Sequence, residues 1–494
     1  MRCASTPRKR ASGWTPARAS RTPSTPAPDA PSKEKSMTTS ASSPSPVVVV
    51  GAGIAGLSAA VSAAEQGGSV VLVDRAGPLD AGGNTKWTSA YLRLDDVYEP
   101  SESFVEEVVG FSGDRTSKEY IETLVDRLPE TMEWIQRHGV RFRRFPTYFV
   151  NSNRPRLQPH GGGEALLNTL RPVAEKLGVE FRYHTTARSL VTAADGRVTG
   201  VVVTGPDGEQ VLPARAVVLA SGGFEGDPAA LADELPGDVS TLIPIAPGVA
   251  LNKGEGIRMA LQAGARRSGQ WDSFHAEPVD PRADNPEALV MVFPYGILVN
   301  KDGERFIDEG RGTVDETYES TARAVWSQPG GTAYFITDRK FERVADRERG
   351  VLTSRKPITA GSLAELASAL GLPADRLAET ITAYNKSVVD GEFDWRRPDG
   401  KHTEGLTPPK SNWALPIDEA PLLAYPVACA IVFTFGGLET DPEARVISEQ
   451  GAPIPGLYAA GECTGIYYDK YPGGTSVLRG MVFGRVAGIA AATA

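Results

Sequence analysis

The chain changes character at residue 47. An unbroken apolar run, VVVV, leads into GAGIAG, then into the small and apolar stretch LSAAVSAAEQG, and then into a second apolar run, SVVLVD. Strands that are apolar on both faces belong to parallel sheets covered on both sides, so this order predicts a strand–helix–strand unit. Further strands are expected at 179–183, 198–204 and 216–220, the first two joined through the turn Asp195-Gly196. Between 273 and 432 strand patterns (296–300, 333–337) mix with helical ones (362–370, 376–385), and after 433 a glycine-rich strand–loop–helix order returns, closing with a helix over 477–492. The expected fold class is therefore α/β. A Rossmann-like domain is built from 47–272 and 433–494, interrupted by an α+β capping domain over 273–432. No solenoid period is present.

Residues 1–46 show no such pattern. They are rich in Arg, Ser, Thr and Pro and nearly free of large aliphatic side chains, so they are expected to stay disordered outside the fold. The basic cluster Arg8-Lys9-Arg10 is followed by no apolar segment of the kind a secretory signal needs, and Met37 is as good a start as Met1.

Composition narrows the function. At 494 residues the chain exceeds one hydrophobic core. Its formal charge of -9, from 52 basic and 61 acidic residues, offers no general attraction for nucleic acid or anionic lipid. The three cysteines, Cys3, Cys429 and Cys463, are too scattered for a zinc or iron–sulfur cassette, which predicts no metal centre and reduced thiols in a cytoplasmic setting. Its apolar runs fall far short of the roughly 20 residues that span a bilayer, so no integral membrane segment is expected.

The GAGIAG turn carries the chemistry. Gly51, Gly53 and Gly56, with Ala52 and Ala55 between them, lie where a strand gives way to a helix. There they permit a tight turn, a close backbone approach to a pyrophosphate, and helix–sheet packing. Asp74 ends the second strand, placed to accept hydrogen bonds from ribose hydroxyls. A dinucleotide cofactor follows, though this motif does not separate FAD from NAD.

The remaining glycine clusters are AGGNTK at 81–86, ASGGF at 220–224, GEG at 254–256 and GLYAAGE at 456–462. In this series the chain resembles the FAD-binding fumarate reductase/succinate dehydrogenase flavoprotein superfamily, over nearly all of 47–494. Within it, AGGNTKWTSAYLR, WDSFHAEPVD, PYGILVNKDGERFIDEG, FTFGGL and YPGGTSVLRGMVFGRVAG are most similar to tricarballylate dehydrogenase-like flavoproteins. The resemblance implies FAD contacts at Gly82, Gly83, Asn84, Thr85, Gly222, Gly461, Glu462, Ser476 and Val477, and a capping domain that clamps a small-molecule substrate over the flavin. Members with covalent FAD carry histidine where this chain has Asn84, so the resemblance implies noncovalent FAD.

Hydride exchange between a flavin and a substrate carbon also requires a proton carrier and a group that stabilises charge on the adjacent carbon. His275 matches the capping-domain histidine that holds a substrate carboxyl in the family. The family's proton-carrying arginine falls by register on Thr313 or Val314, leaving Arg311 as the nearest candidate. The acid and arginine that feed it in fumarate reductases are replaced by Leu289 and Val292. A second substrate histidine is Phe433, and a substrate arginine is Tyr471, which also resembles the tyrosine that polarises the ketone in 3-ketosteroid Δ1-dehydrogenases. Lys470 and Arg479 flank that loop. Three readings stay open: oxidation or reduction of a carbon–carbon bond beside a carboxylate or carbonyl, ketosteroid-type desaturation of a ketone, and a flavin-binding sensor without catalysis. With no haem motif and no cysteine cluster, electrons are expected to travel through a separate carrier, a quinone or oxygen.

Overall fold

Four consecutive valines form β1 (Val47–Val50), fully inside a six-stranded sheet, in a computed structural model that describes residues 45–94, 99–151 and 156–494. Residues 1–44 lie outside the described residues, and with them Cys3, the Arg8-Lys9-Arg10 cluster, Met37 and nearly all of the extension expected to be disordered. After β1 the chain turns through Gly51, whose φ of +106° favours glycine, enters helix α1 (Ile54–Glu65) and returns along β2 (Val70–Val73), parallel to β1. A Cβ on Gly56 would sit 1.8 Å from the Gly51 carbonyl oxygen, so only glycine lets α1 pack this close to the turn. The sheet runs in the order Arg445–Ile447, Pro453–Ala459, Ala216–Leu219, β1, β2, Glu180–Arg182; only its first pair is antiparallel.

One expectation is corrected here. The turn at Asp195-Gly196 joins Thr186–Thr192, a strand not foreseen, to Val198–Gly205, and with Gly208–Pro213 these make a separate three-stranded antiparallel sheet. The strand near 180 stays in the main sheet. TARSLVT has weak alternation, with only Ala187 buried, which is why its pattern does not stand out.

A second sheet is built around one long strand. Two residues of β3 (Phe274–Val279), His275 and Glu277, line the cleft described below, His275 also bonding Tyr318 of helix α2 (Val314–Trp326), and β3 pairs antiparallel with β4 (Leu422–Thr434). Strand β4 also pairs with Thr332–Thr337, Ile358–Ala360 and the short Ile243–Pro244. Thus β4 runs through the 432/433 boundary expected between cap and cofactor domain, and a strand from before residue 273 joins the same sheet. A register shift between His275 and Ala276 sets His275 directly opposite Phe433.

The last helix, α3 (Ser476–Thr493), lies against α1. A Cβ on Gly484 would meet the Ala55 carbonyl oxygen at 2.4 Å, and one on Gly488 the Ala59 oxygen at 2.2 Å. Glycine at four-residue spacing lets the two backbones touch and fixes the mouth of the first turn against the C-terminal loop.

Candidate active site

Where β1 ends, a cleft of about 1800 Å³, counting its solvent-open mouth, runs from the first glycine turn to β3 and the loop before α3. Its lining joins the glycine turns at one end to the aromatic residues of the second sheet at the other, so one cleft serves a cofactor and a substrate side by side. Gly51, Ala52, Gly53, Ala55, Asp74, Gly82, Gly83, Asn84, Thr85, Gly222, Gly461, Glu462, Ser476 and Val477 all line it, as do His275, Phe433 and Tyr471. Gly56 stands behind the wall as a packing residue.

The deep end suits a dinucleotide. Gly53 itself offers no side-chain cap to α1, and although the Ile54 amide donates to Thr85 Oγ1 at 3.2 Å, the amides that follow it in the first turn can meet a phosphate. Asp74 accepts from the amides of Ala52 and Ala76, both at 2.8 Å, which holds its carboxyl at the cleft wall. Burial raises its pKa, against the pull of those two amides. Asn84 donates to Glu225 at 2.8 Å and to the Val432 carbonyl at 3.0 Å, while its own Oδ1 is buried without a hydrogen-bond partner among the described residues. A buried acceptor lining a cleft is what a polar ligand edge would satisfy. These features fit FAD.

Beside Asn84 lies a pair of acids: Glu462, which was expected at the cofactor, and Glu225, which sequence reasoning missed. Glu225 accepts from Asn252 at 2.5 Å, and its pKa is pushed well above the carboxylate range by burial and by the neighbouring carboxyl of Glu462. Like-charge repulsion in a dry site keeps one proton on the pair.

The substrate end is aromatic. Rings of Phe433 and Tyr471 lie 5.0 Å and 4.5 Å from the His275 ring. His275 Nε2 meets the Tyr318 hydroxyl at 2.9 Å, and Nδ1 has no hydrogen-bond partner among the described residues. Burial drives the His275 pKa well below its ordinary value, so the imidazole is neutral and offers a substrate a hydrogen bond rather than a charge. The Tyr471 hydroxyl faces the start of α3, accepting from the amides of Gly474, Thr475 and Ser476 at 3.1, 3.1 and 3.0 Å and donating to Ser476 Oγ at 2.9 Å. It caps a helix instead of presenting itself to a ketone.

Arg311 is not brought to the site. It is exposed, its guanidinium bonds Ser320, and it does not line the cleft. Thr313 caps α2 with Glu316, and Val314 is buried. Leu289 and Val292 sit in the apolar core, Lys470 is exposed, and Arg479 is fully buried, donating to the Thr464 carbonyl and hydroxyl at 2.9 and 2.8 Å. The cations that do line the cleft are Arg75, Arg156 and Arg479. Arg75 pairs with Glu255, Arg156 lies 3.3 Å from Asp315, and Arg479 is taken up by Thr464, so none of the three described cations is left unengaged.

Acids gather at the substrate end instead. Glu277 and Glu287 both line the cleft. Glu277 is two residues from His275 on β3, an i, i+2 relation visible in HAE; Glu287, on a loop with φ of +51°, had no signal.

Known proteins agree with this architecture. Residues 46–478 match a family model described as an FAD binding domain. The chain is 27% identical over 467 residues to a vinyl phenol reductase of Lactiplantibacillus plantarum, covering 86% of this chain and 91% of that one. It is 30% identical over 419 residues to a 4-oxocyclohexanecarboxylate 2-dehydrogenase of Sinomonas cyclohexanicum, covering 79% and 70%. Among solved structures, the open conformation of a flavocytochrome c3 fumarate reductase superposes with a TM-score of 0.74 at 28% identity, over 92% of this chain and 78% of that one. Described helices include none long and apolar enough to cross a membrane. A dinucleotide cleft under glycine turns, a second sheet facing it, and a match over most of the chain place this protein in the FAD-binding family of fumarate reductase/succinate dehydrogenase flavoproteins, as an FAD-dependent oxidoreductase of CH–CH groups.

Proposed function

We propose that the protein reduces, or in reverse forms, a carbon–carbon double bond conjugated to a carbonyl or phenol in a cyclic substrate carrying at most one negative charge. The observation that carries this reading is the want of free positive charge: the cleft-lining arginines are each already engaged, and the substrate end adds the two carboxyls of Glu277 and Glu287. A tricarboxylate of the tricarballylate kind would find no unengaged cation among the described lining residues, whereas the rings of Phe149, Tyr318, Phe433 and Tyr471 suit a flat, apolar body. The names of the vinyl phenol and oxocyclohexanecarboxylate relatives point the same way.

In this reading the cofactor contacts are those foreseen from the sequence, and FAD is held noncovalently, since the Asn84 amide is engaged with Glu225 and Val432 and is no nucleophile. Bound FAD supplies or accepts the hydride. Residues 273–432 act as the cap, contributing His275, Glu277, Glu287 and Tyr318. His275 donates a neutral hydrogen bond to the carbonyl oxygen. Electrons reach the flavin from a separate carrier, in a cytoplasmic setting.

Anaerobic mixing of the reduced holoenzyme with 2-cyclohexenone, 4-vinylphenol, fumarate and tricarballylate, followed by flavin absorbance, tests the proposal. Reoxidation by the enone or the vinylphenol supports it. Reoxidation by the polycarboxylates alone overturns it.

A further inference from the structure

Adding hydrogen across a double bond places a hydride on one carbon and a proton on its neighbour, and the protein must hold that proton at the right atom. The carriers expected from the family are gone: Arg311 is turned to Ser320, and Leu289 and Val292 are core residues. The cleft contains one acid in a position to replace them. We propose that Glu277 is the proton carrier of this active site, exchanging its carboxyl proton with the substrate carbon next to the carbonyl. This rests on the reading of the substrate given above.

Geometry supports the choice. Glu277 lies on the cleft wall with its side chain 6% exposed, its Oε1 3.3 Å from the Tyr148 hydroxyl, which donates to it, and 3.9 Å from His275 Nε2. That sets it beside the group that would hold the carbonyl oxygen, as a carbon two bonds from that oxygen requires. The other ionisable groups around it are engaged elsewhere. Glu287, on the same wall, accepts from the Ser89 hydroxyl and amide at 3.0 and 3.4 Å. On α2, Tyr318 is bonded to His275, and Glu319 is bonded to Arg323 and to the Tyr471 amide. Glu319 does not line the cleft. Burial, with Glu287 and Glu319 adding to it and the Tyr148 hydrogen bond opposing, pushes the Glu277 pKa up to about 8. A carboxyl so placed is protonated at neutral pH yet can still release its proton, the match that general acid catalysis requires.

The step balances as follows. One substrate carbon gains a hydride from the reduced cofactor, which is thereby oxidised by two electrons; its neighbour gains the proton of Glu277, which becomes a carboxylate. The Tyr148 hydroxyl, already hydrogen-bonded to that carboxylate, then relays a proton back to it. In the oxidative direction the carboxylate takes up the proton instead. Reduction should therefore fail as pH rises through about 8, where the acid form is lost, and oxidation should fail as pH falls through the same value.

The test combines two measurements on the FAD-loaded enzyme. Infrared spectra of wild type minus Glu277→Gln, without substrate, should contain a protonated-carboxyl band that disappears near pH 8. Stopped-flow reoxidation of the reduced enzyme by 2-cyclohexenone should slow by about 100-fold or more in Glu277→Gln, lose its alkaline limb, and recover in part in Glu277→Asp. Absence of the infrared band overturns the proposal whatever the substrate is, as does a Glu277→Gln rate within threefold of wild type or a surviving alkaline limb. If the enone leaves wild type reduced while tricarballylate or fumarate reoxidises it, the substrate reading has failed, and the same variants with that acid decide Glu277.

Discussion

Replacing Gly488 by alanine should destabilise the protein, although the same change in an open helix would stabilise it. In a solvent-facing helical site, glycine to alanine gains about 1 kcal/mol of helix propensity. Gly488 has no such site: its new Cβ would lie 2.2 Å from the Ala59 carbonyl oxygen and 2.8 Å from the Ala59 Cα, both backbone atoms that no rotamer change can move. Real contacts of this kind do not fall below 3.0 Å, so α3 and α1 must separate by most of an ångström. Overpacking of this sort costs about 1–3 kcal/mol, and loss of the neighbouring contact at Gly484 puts it toward the upper end. Set against the propensity gain, the net is a loss of about 1–2 kcal/mol. Gly110, near the end of the helix Phe104–Phe111, is the control: a methyl added there would meet nothing within 4 Å, and the change should gain up to about 1 kcal/mol. Urea unfolding with FAD in excess, comparing midpoints at constant slope, reads both. A Gly488→Ala midpoint equal to or above wild type, with Gly110→Ala shifted up, would refute the packing argument.

Three further outcomes follow from the site. Tyr471→Phe strips one acceptor from three backbone amides and should cost about 1–3 kcal/mol of stability, seen in the same urea assay; a loss of turnover with unchanged stability would return the hydroxyl to the substrate. Arg311→Ala should leave turnover within about threefold, as for other exposed positions, and a hundredfold drop in steady-state rate would show that its guanidinium reaches the cleft. Asp74→Ala removes a half-buried carboxylate acceptor worth about 1.5–3 kcal/mol to a ribose hydroxyl, so FAD should bind about ten- to a hundredfold more weakly by fluorescence titration; unchanged affinity would mean that Asp74 serves the Ala52 and Ala76 amides alone.

The cofactor half was readable because its determinants are local. VVVV and VVLV are buried on both faces, and the glycines between them are demanded by backbone distances within one turn. Four segments between 296 and 385 were likewise found as Ile297–Asn300, Thr332–Thr337, Leu363–Leu370 and Ala374–Ser387, each by its own periodicity. What stayed hidden depends on partners distant in sequence. Nothing in ASGGFEGD says that Glu225 will share a proton with Glu462, or that Asn252 will hold it. Arg311 was chosen as the arginine nearest to Thr313 and Val314, where the register fell, and nearness in sequence cannot tell that Ser320, nearly two turns into α2, captures its guanidinium. Tyr471 resembled a ketone-binding residue, and the three amides that claim its hydroxyl converge only once α3 has formed.

Strand β4 has a consequence for anyone recombining this fold. Its 13 residues belong to the second sheet, yet near its end the Val432 carbonyl receives Asn84 and the Thr434 amide reaches Glu462 at 3.2 Å. A chimera spliced at 432/433 would cut one continuous hydrogen-bonded ribbon between two parents, and any mismatch in its register would be carried straight to the flavin's neighbours. Grafts that keep Leu422–Thr434 whole, with β3 from the same donor, would transfer substrate preference without disturbing the cradle.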